Sequence, residues 1–310
     1  MKAVILNGTG GREKLEFSTS YPVPKPTDGQ VIVNNTFVGF NFIDIYLRTG
    51  FYPSTTGYPL ILGQEGAGTV VAIEGSNPLD FRPGDRWQAV RIPENVSDED
   101  AVASHMAGMT ALSLVKEAYP AKRGDTVLVH AAAGGVGSFL CQLLSNEGVI
   151  VIATSGGPNK CALAKENGAT HAIDYKDPSG RPWVEQVLEL TGGDGVDAAY
   201  DSVGKDTWED SIEVTKRKGR VVYFGSASGP VPPLNLALIR AKNATVIQPT
   251  LSNYITTRQE LEYYAHGVLE RVQDGRLKVK TSRVYSWAEV AQAHKDLEER
   301  RSTGKLLLKL

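Results

Sequence analysis

Between Asp125 and Gly137 the chain reads Asp-Thr-Val-Leu-Val-His-Ala-Ala-Ala-Gly-Gly-Val-Gly, and an apolar helix begins near Ser138. Five residues of strand chemistry thus run into a bend without bulky side chains. A bend of that kind lets backbone N–H groups approach a pyrophosphate, whose charge lies at the positive end of the following helix. The spacing Ala131-x-x-Gly134-x-x-Gly137 puts alanine at the first position of the usual glycine fingerprint. A Gly-rich match by itself is weak and equally describes a plain tight turn. With a strand on one side and a helix on the other, it reads as a dinucleotide site at Gly134, Gly135, Val136 and Gly137.

The surrounding chain fits such a domain. From Asp125 to about Gln248, apolar runs at 126–130, 149–154, 171–175, 198–203, 220–224 and 244–248 are separated largely by helical stretches at 138–146, 159–167, 183–190 and 207–216. Short buried strands joined by helices predict an α/β fold with a doubly wound parallel sheet. Residues 1–100 are instead rich in Gly, Pro and Thr, with strand-like runs at 2–7, 31–37 and 68–74, and read as a separate, mainly β domain. Amphipathic helices at 257–274 and 287–298 and a closing strand at 305–310 follow.

Charge and composition exclude several classes. A net charge of −2 gives no bulk attraction for nucleic acid or anionic lipid. No apolar run approaches a membrane span, and the N-terminus reads as a first strand and not a signal peptide. With only Cys141 and Cys161 there is no disulfide framework and no Cys₄ zinc lobe. Cys141 reads as packing. A cytoplasmic location is expected, with no membrane and no nucleic-acid partner.

Four segments carry a family resemblance: Asn41-Phe-Ile-Asp-Ile-Tyr-Leu-Arg-Thr-Gly-Phe-Tyr-Pro53, the bend from Ala131 to Gly137, Tyr200-Asp-Ser-Val-Gly204, and Phe224-Gly-Ser-Ala-Ser-Gly229. Together they resemble quinone oxidoreductases of the zeta-crystallin type, in the zinc-free branch of the medium-chain dehydrogenase/reductase superfamily. The resemblance runs almost end to end. It implies a GroES-like substrate domain built from both chain ends (1–108 and 253–310), a Rossmann domain between them (109–252), NADPH in a cleft, and a homodimer joined through Rossmann edge strands. One departure is large. Family members place roughly twenty more residues between a Gly-Asp-Arg turn and an Ile-Pro pair. Here Gly84-Asp85-Arg86 reaches Ile92-Pro93 through residues 87–91 alone, too short for another β-hairpin with its turn. The substrate domain is therefore expected to be smaller, with a core face or sheet edge less covered.

The end of the second strand bears on the choice between NAD and NADP. An Asp or Glu there binds ribose hydroxyls in NAD enzymes. This chain has Thr154 and Ser155 instead, with Lys160 shortly after, a set that can hold a 2′-phosphate. The alternative is that Ser155 caps the next helix and Lys160 is solvated surface. The resemblance adds Tyr175 and Arg300 at the adenosine end. At the nicotinamide end it adds Asn41, Tyr46, Thr110, Phe224, Gly225, Ser226 and the loop Leu251, Ser252 and Asn253. Thr110 opens a helix-like run and reads equally as a buried, satisfied hydroxyl.

Zinc-dependent relatives carry Gly-His-Glu where this chain has Gly63-Gln64-Glu65, and no cysteine precedes Cys141. A catalytic zinc needs three such protein ligands, so no metal is expected. No serine sits in a nucleophile elbow, and Asp201-Ser202 has no histidine at a recognisable spacing. Hydride transfer needs neither, because the cofactor carries that chemistry. Donors near a developing oxyanion would come from Tyr46, Tyr52 and Asn41, with Arg48 holding the segment or attracting anions. The leading expectation is an NADPH-dependent reductase of quinones or related conjugated carbonyls. The alternatives are a 2-alkenal or enoyl-thioester reductase, and a cofactor-binding protein with little turnover because of its shortened domain.

Overall fold

A computed structural model describes residues 1–76 and 80–310. In chain order the strands are β1 Ala3–Leu6, β2 Leu15–Ser18, β3 Val31–Phe40, β4 Leu60–Ile61, β5 Gly66–Ile73, β6 Arg86–Gln88 and β7 Val90–Arg91. Then come β8 Thr126–Val129, β9 Ile150–Ser155, β10 His171–Asp174, β11 Val196–Asp201, β12 Thr215–Tyr223 and β13 Thr245–Ile247, followed by β14 Thr281–Tyr285 and β15 Lys305–Lys309. The chain forms two compact units. One comprises Met1–Met106, Leu269–Gln273 and Lys278–Leu310; the other comprises Ala107–Val268 and Asp274–Leu277.

The second unit holds one six-stranded sheet in the order β10-β9-β8-β11-β12-β13, parallel throughout. That is the order of a doubly wound dinucleotide-binding sheet, whose ligands bind beyond the carboxyl ends of the strands where the order reverses, here at β8 and β11. Its core includes Leu128, Ile152, Ile173, Val196 and Val221, all on strands. Near-continuous apolar runs suit strands covered on both faces.

The first unit contains two sheets, β2-β1-β4 and β14-β15-β3-β5-β6-β7. Its apolar core joins Val4, Tyr285, Val290, Ala293, Leu306 and Leu308, so residues from the two chain ends pack together. A cavity of about 770 Å³ opens beside β1 and β3, with Val4, Phe40, Asp44, Gln64, Trp287 and His294 among its lining.

Several elements differ from expectation. The segment judged too short for a hairpin forms one: Trp87 pairs with Arg91 and Gln88 with Val90 around Ala89. The turn closes because Ala89 takes a left-handed backbone (φ 58°), which shortens the reversal to one residue. Thr110 does not open a helix. It lies near the end of the helix Asp98–Ser113, whose start is marked by Ser97, an N-terminal hydroxyl accepting from Asp100 N at 3.0 Å. The compact units divide the chain after Met106 and after Val268. Most of the helix Arg258–Gln273 stays with the parallel sheet because Tyr264 donates to Glu117 and Val268 packs where Gly108 has no side chain.

Candidate active site

In the second unit the bend after β8 is built as a cradle. His130 N donates to Tyr200 O, Ala132 N to Thr154 O, and Gly134 N back to Ala131 O at 2.9 Å. Gly134 then caps the helix Gly135–Asn146. A Cβ on Gly137 would overlap the Ala131 carbonyl and lie 2.8 Å from Ala132 Cα, so only glycine lets this helix start so close to the strand. Ala131 carries the left-handed backbone (φ 49°) that glycine supplies at no steric cost. Gly134, Gly135 and Val136 are half-buried at the mouth of the bend.

Thr154 and Ser155 close β9 beside it. Thr154 is 1% exposed, and its hydroxyl lies 2.8 Å from His130 Nδ1. The other ring nitrogen is 3.2 Å from Ser211 Oγ, which donates to Asp201 Oδ2 at 2.8 Å. Burial lowers the pKa of His130 and favours the neutral ring. Asp201 therefore does have a histidine in its network, through Ser211, but that serine is fully buried and cannot serve as a nucleophile. Thr154 is consequently a support for the bend, and its hydroxyl faces inward. Ser155 does not cap the next helix: Gly157 does, with Pro158 at the first helical position. The Ser155 hydroxyl is buried and has no hydrogen-bond partner among the described residues. The Tyr175 hydroxyl would be 2.7 Å from a Cβ on Gly156, so its ring covers that glycine. Lys160 lies in the first turn of the helix Pro158–Glu166. Asp174, unnoticed in the sequence, anchors this corner by accepting from Gly157 N at 2.7 Å and Lys176 N at 2.9 Å.

Two loops lace together beyond β11 and β12. Ala227 N donates to Ser202 O and Ser228 N to Val203 O, while a Cβ on Gly225 would lie 2.9 Å from Ser202 O. The motifs at 200–204 and 224–229 are therefore one structure, with Phe224 and Gly225 half-buried and Ser226 buried at its edge. Leu251–Asn253 forms a 3₁₀ turn with Ser252 and Asn253 exposed. Thr110 is half-buried in its helix.

In the first unit Asn41 caps the helix Phe42–Thr49, and its N–H donates to Asp44 Oδ2 at 2.8 Å. Gly50 ends that helix in the left-handed region (φ 80°) and turns the chain so that Tyr52 N donates to Tyr46 O. Phe42, Tyr46, Phe51 and Tyr52 thus form an aromatic cluster, with Tyr46 5.1 Å from both of the latter rings. Tyr52 is exposed. Arg48, expected near substrate, is only 1% exposed; it donates to Gly10 O at 2.9 Å and pairs with Glu298. Its guanidinium ties the helix to the loop at Gly10, so attraction of anionic substrate is removed from its role. Arg300, in the same unit, is exposed with a left-handed backbone (φ 55°).

Behind Asn41 lies a cluster that the sequence did not reveal. Asn41 Nδ2 donates to Glu65 Oε1 at 2.7 Å, and Lys305 Nζ donates to Asn41 Oδ1 at 2.5 Å while pairing with Glu65. Glu65 Oε2 accepts from Met106 N at 2.8 Å. Burial pushes the Asp44 carboxyl up to about 7 against the pull of the Asn41 N–H and Lys305. Burial brings His105 down to about 4, with the Glu65 charge opposing. Among the described residues no group of three His, Cys, Asp or Glu side chains is arranged to hold a metal ion.

A family model described as alcohol dehydrogenase GroES-like domain matches residues 27–174, and one described as zinc-binding dehydrogenase matches 135–266. A quinone oxidoreductase of Pseudomonas aeruginosa is 38% identical over 319 positions, covering 96% of each chain. That alignment is longer than this chain, so the relative carries residues with no counterpart here. A 2-haloacrylate reductase of a Burkholderia species is 30% identical over 99% of this chain and 98% of its own. The crystal structure of Escherichia coli quinone oxidoreductase complexed with NADPH superimposes with a TM-score of 0.94 at 34% identity, covering 100% of both chains. With a nearly full-length match in sequence and in structure, the chain belongs to the quinone oxidoreductase family of the medium-chain dehydrogenase/reductase superfamily.

Proposed function

We propose that this chain is an NADPH-dependent reductase of quinones and related conjugated carbonyls, working without a metal. The observation that carries the reading is the bare bend after β8, where Gly137 packs on the Ala131 carbonyl and leaves the helix N-terminus open to a diphosphate. The Ser155 hydroxyl, which has no partner among the described residues, favours a 2′-phosphate at the neighbouring corner, with Lys160 and Tyr175 as its further contacts. Gly134, Gly135, Val136 and Gly137 hold the diphosphate. Thr110, residues 224–226 and Leu251–Asn253 serve the nicotinamide end.

NADPH, when bound, supplies a hydride. The task of the protein is to orient the acceptor and to stabilise negative charge developing on its oxygen. Tyr46 and Tyr52 offer phenol donors and an apolar surface for a flat ring, and Asn41 offers an amide N–H. Gln64 replaces the histidine ligand of zinc-dependent relatives, which supports metal-free reduction. Among the described residues β13 ends the parallel sheet, and that edge favours a homodimer through strand pairing. Among the described residues no helix is long and apolar enough to cross a membrane.

NADPH oxidation with a panel of quinones, 2-alkenals and enoyl thioesters tests the reading. Quinones are expected to give the highest kcat/KM, and Tyr52→Phe to lower kcat about tenfold with unchanged NADPH affinity. A preference for 2-alkenals would move the protein toward enoyl reduction. Tight NADPH binding without turnover of any acceptor would make it a cofactor-binding protein.

A further inference from the structure

We propose that Lys305 and Glu65 are positioning residues that set which end of the Asn41 carboxamide faces the reacting molecules; this rests on the reduction proposed above. The three side chains close a ring. Lys305, a donor only, holds Asn41 Oδ1 at 2.5 Å, and Glu65 Oε1 accepts from Asn41 Nδ2 at 2.7 Å while pairing with Lys305. An amide is nearly symmetric in shape, so packing alone distinguishes its oxygen from its nitrogen poorly. A cation on one side and an anion on the other distinguish them completely. The remaining Asn41 N–H is then always a donor, which is the polarity a developing oxyanion needs.

The ion pair is shut away from solvent. The side chains of Lys305 and Glu65 are 5% and 0% exposed, and the second Glu65 oxygen is taken by Met106 N. Such a pair is costly to desolvate, and a fold gains little stability by keeping one. Room for it is built into β3. Gly39 has no side chain where a Cβ would overlap the Glu65 carboxylate. The other ionisable groups around the pair are Asp44, on the helix capped by Asn41, and His105. The ring joins residues 24 and 264 positions apart, so no local motif announces it.

Lys305→Met, Lys305→Arg, the double variant Lys305→Met/Glu65→Gln and Gly39→Ala test the assignment beside the wild type. In Lys305→Met the Glu65 carboxyl loses its cation, can take up a proton, and can then donate to Asn41 Oδ1, freeing the amide to turn over. Quinone kcat/KM is expected to fall about tenfold or more and to acquire an ionisation absent from the wild-type pH profile. Lys305→Arg should keep the wild-type profile. The double variant should fold well yet stay slow, because glutamine no longer dictates the polarity of the amide. Gly39→Ala displaces Glu65 with all charges in place and should also lower kcat/KM, which serves if Lys305→Met does not fold. The Asn41 side-chain amide proton bound to Glu65 is expected at low field in the NMR spectrum and to move upfield in Lys305→Met, with or without turnover. A folded Lys305→Met with wild-type kcat/KM, pH profile and amide shift overturns the assignment. Full activity in the double variant also overturns it, by reducing the pair to charge compensation. Absence of turnover in the wild type would remove the reductase reading instead, and the amide shift would still decide the role of Lys305.

Discussion

The interiors of the two units rest on different chemistry. The parallel-sheet unit buries mostly aliphatic strand residues such as Leu128, Ile152 and Val221, with one polar network running from Thr154 through His130 and Ser211 to Asp201. The two-sheet unit buries Arg48, Asp44, Glu65, Lys305, His105 and His294. A unit whose shape comes from a regular sheet can place its binding groups on the backbone. A unit with two separate sheets and a shortened passage at residues 87–91 fixes its side chains with charge. Buried ion pairs are weak contributors to net stability, and the value proposed above for Lys305 and Glu65 is to specify orientation.

The contrast can be broken first at the bend. Gly137→Val puts a side chain into the Ala131 carbonyl, and NADPH affinity measured by calorimetry is expected to drop at least about a hundredfold, ~2.7 kcal/mol. Unchanged affinity would detach the cofactor from this loop, and with it the idea that one unit binds through its backbone.

Acid sharpens the comparison on the other side. Burial brings His105 and His294 to about 4, so unfolding takes up protons there as pH falls from about 6.5 toward 4, and stability is lost in that window. Asp44, raised to about 7, runs the opposite way: its neutral form is favoured in the fold, and its contribution fades as pH rises through 7. Two groups against one leave a net loss of at most about 1.4 kcal/mol per pH unit on acidification between 6.5 and 4. Thermal unfolding across this range should show Asp44→Asn with a steeper acid loss than wild type. An identical slope would mean that Asp44 is ionised in the fold at neutral pH.

Smaller effects belong to the adenosine corner. Lys160→Ala and Ser155→Ala should each weaken NADPH by about tenfold more than NADH, the scale of one charge-assisted hydrogen bond. Equal losses for both cofactors would shift the 2′-phosphate contact to Tyr175. The smallest change is expected from Ala131→Gly, which relieves a left-handed alanine but loosens the unfolded chain, leaving stability within about 1 kcal/mol. Denaturant unfolding would detect a larger gain, which would show the bend to be strained by more than one alanine.

The sequence by itself determined the parallel sheet, its bend and the family, because each depends on residues close together in the chain: period, turn chemistry and a glycine every third place. It also marked the helix from Asn41 onward as important without showing what stands behind it. Tertiary structure decided the rest. Arg48 went inward to Gly10 and Glu298, Thr154 turned its hydroxyl to His130, and residues 87–91 made a hairpin on a single left-handed alanine. Lys305 and Glu65 met at Asn41 only once both ends of the chain had folded into one unit. Backbone geometry is written locally, whereas the partner of a buried charge is chosen by whichever opposite group the finished fold brings within reach.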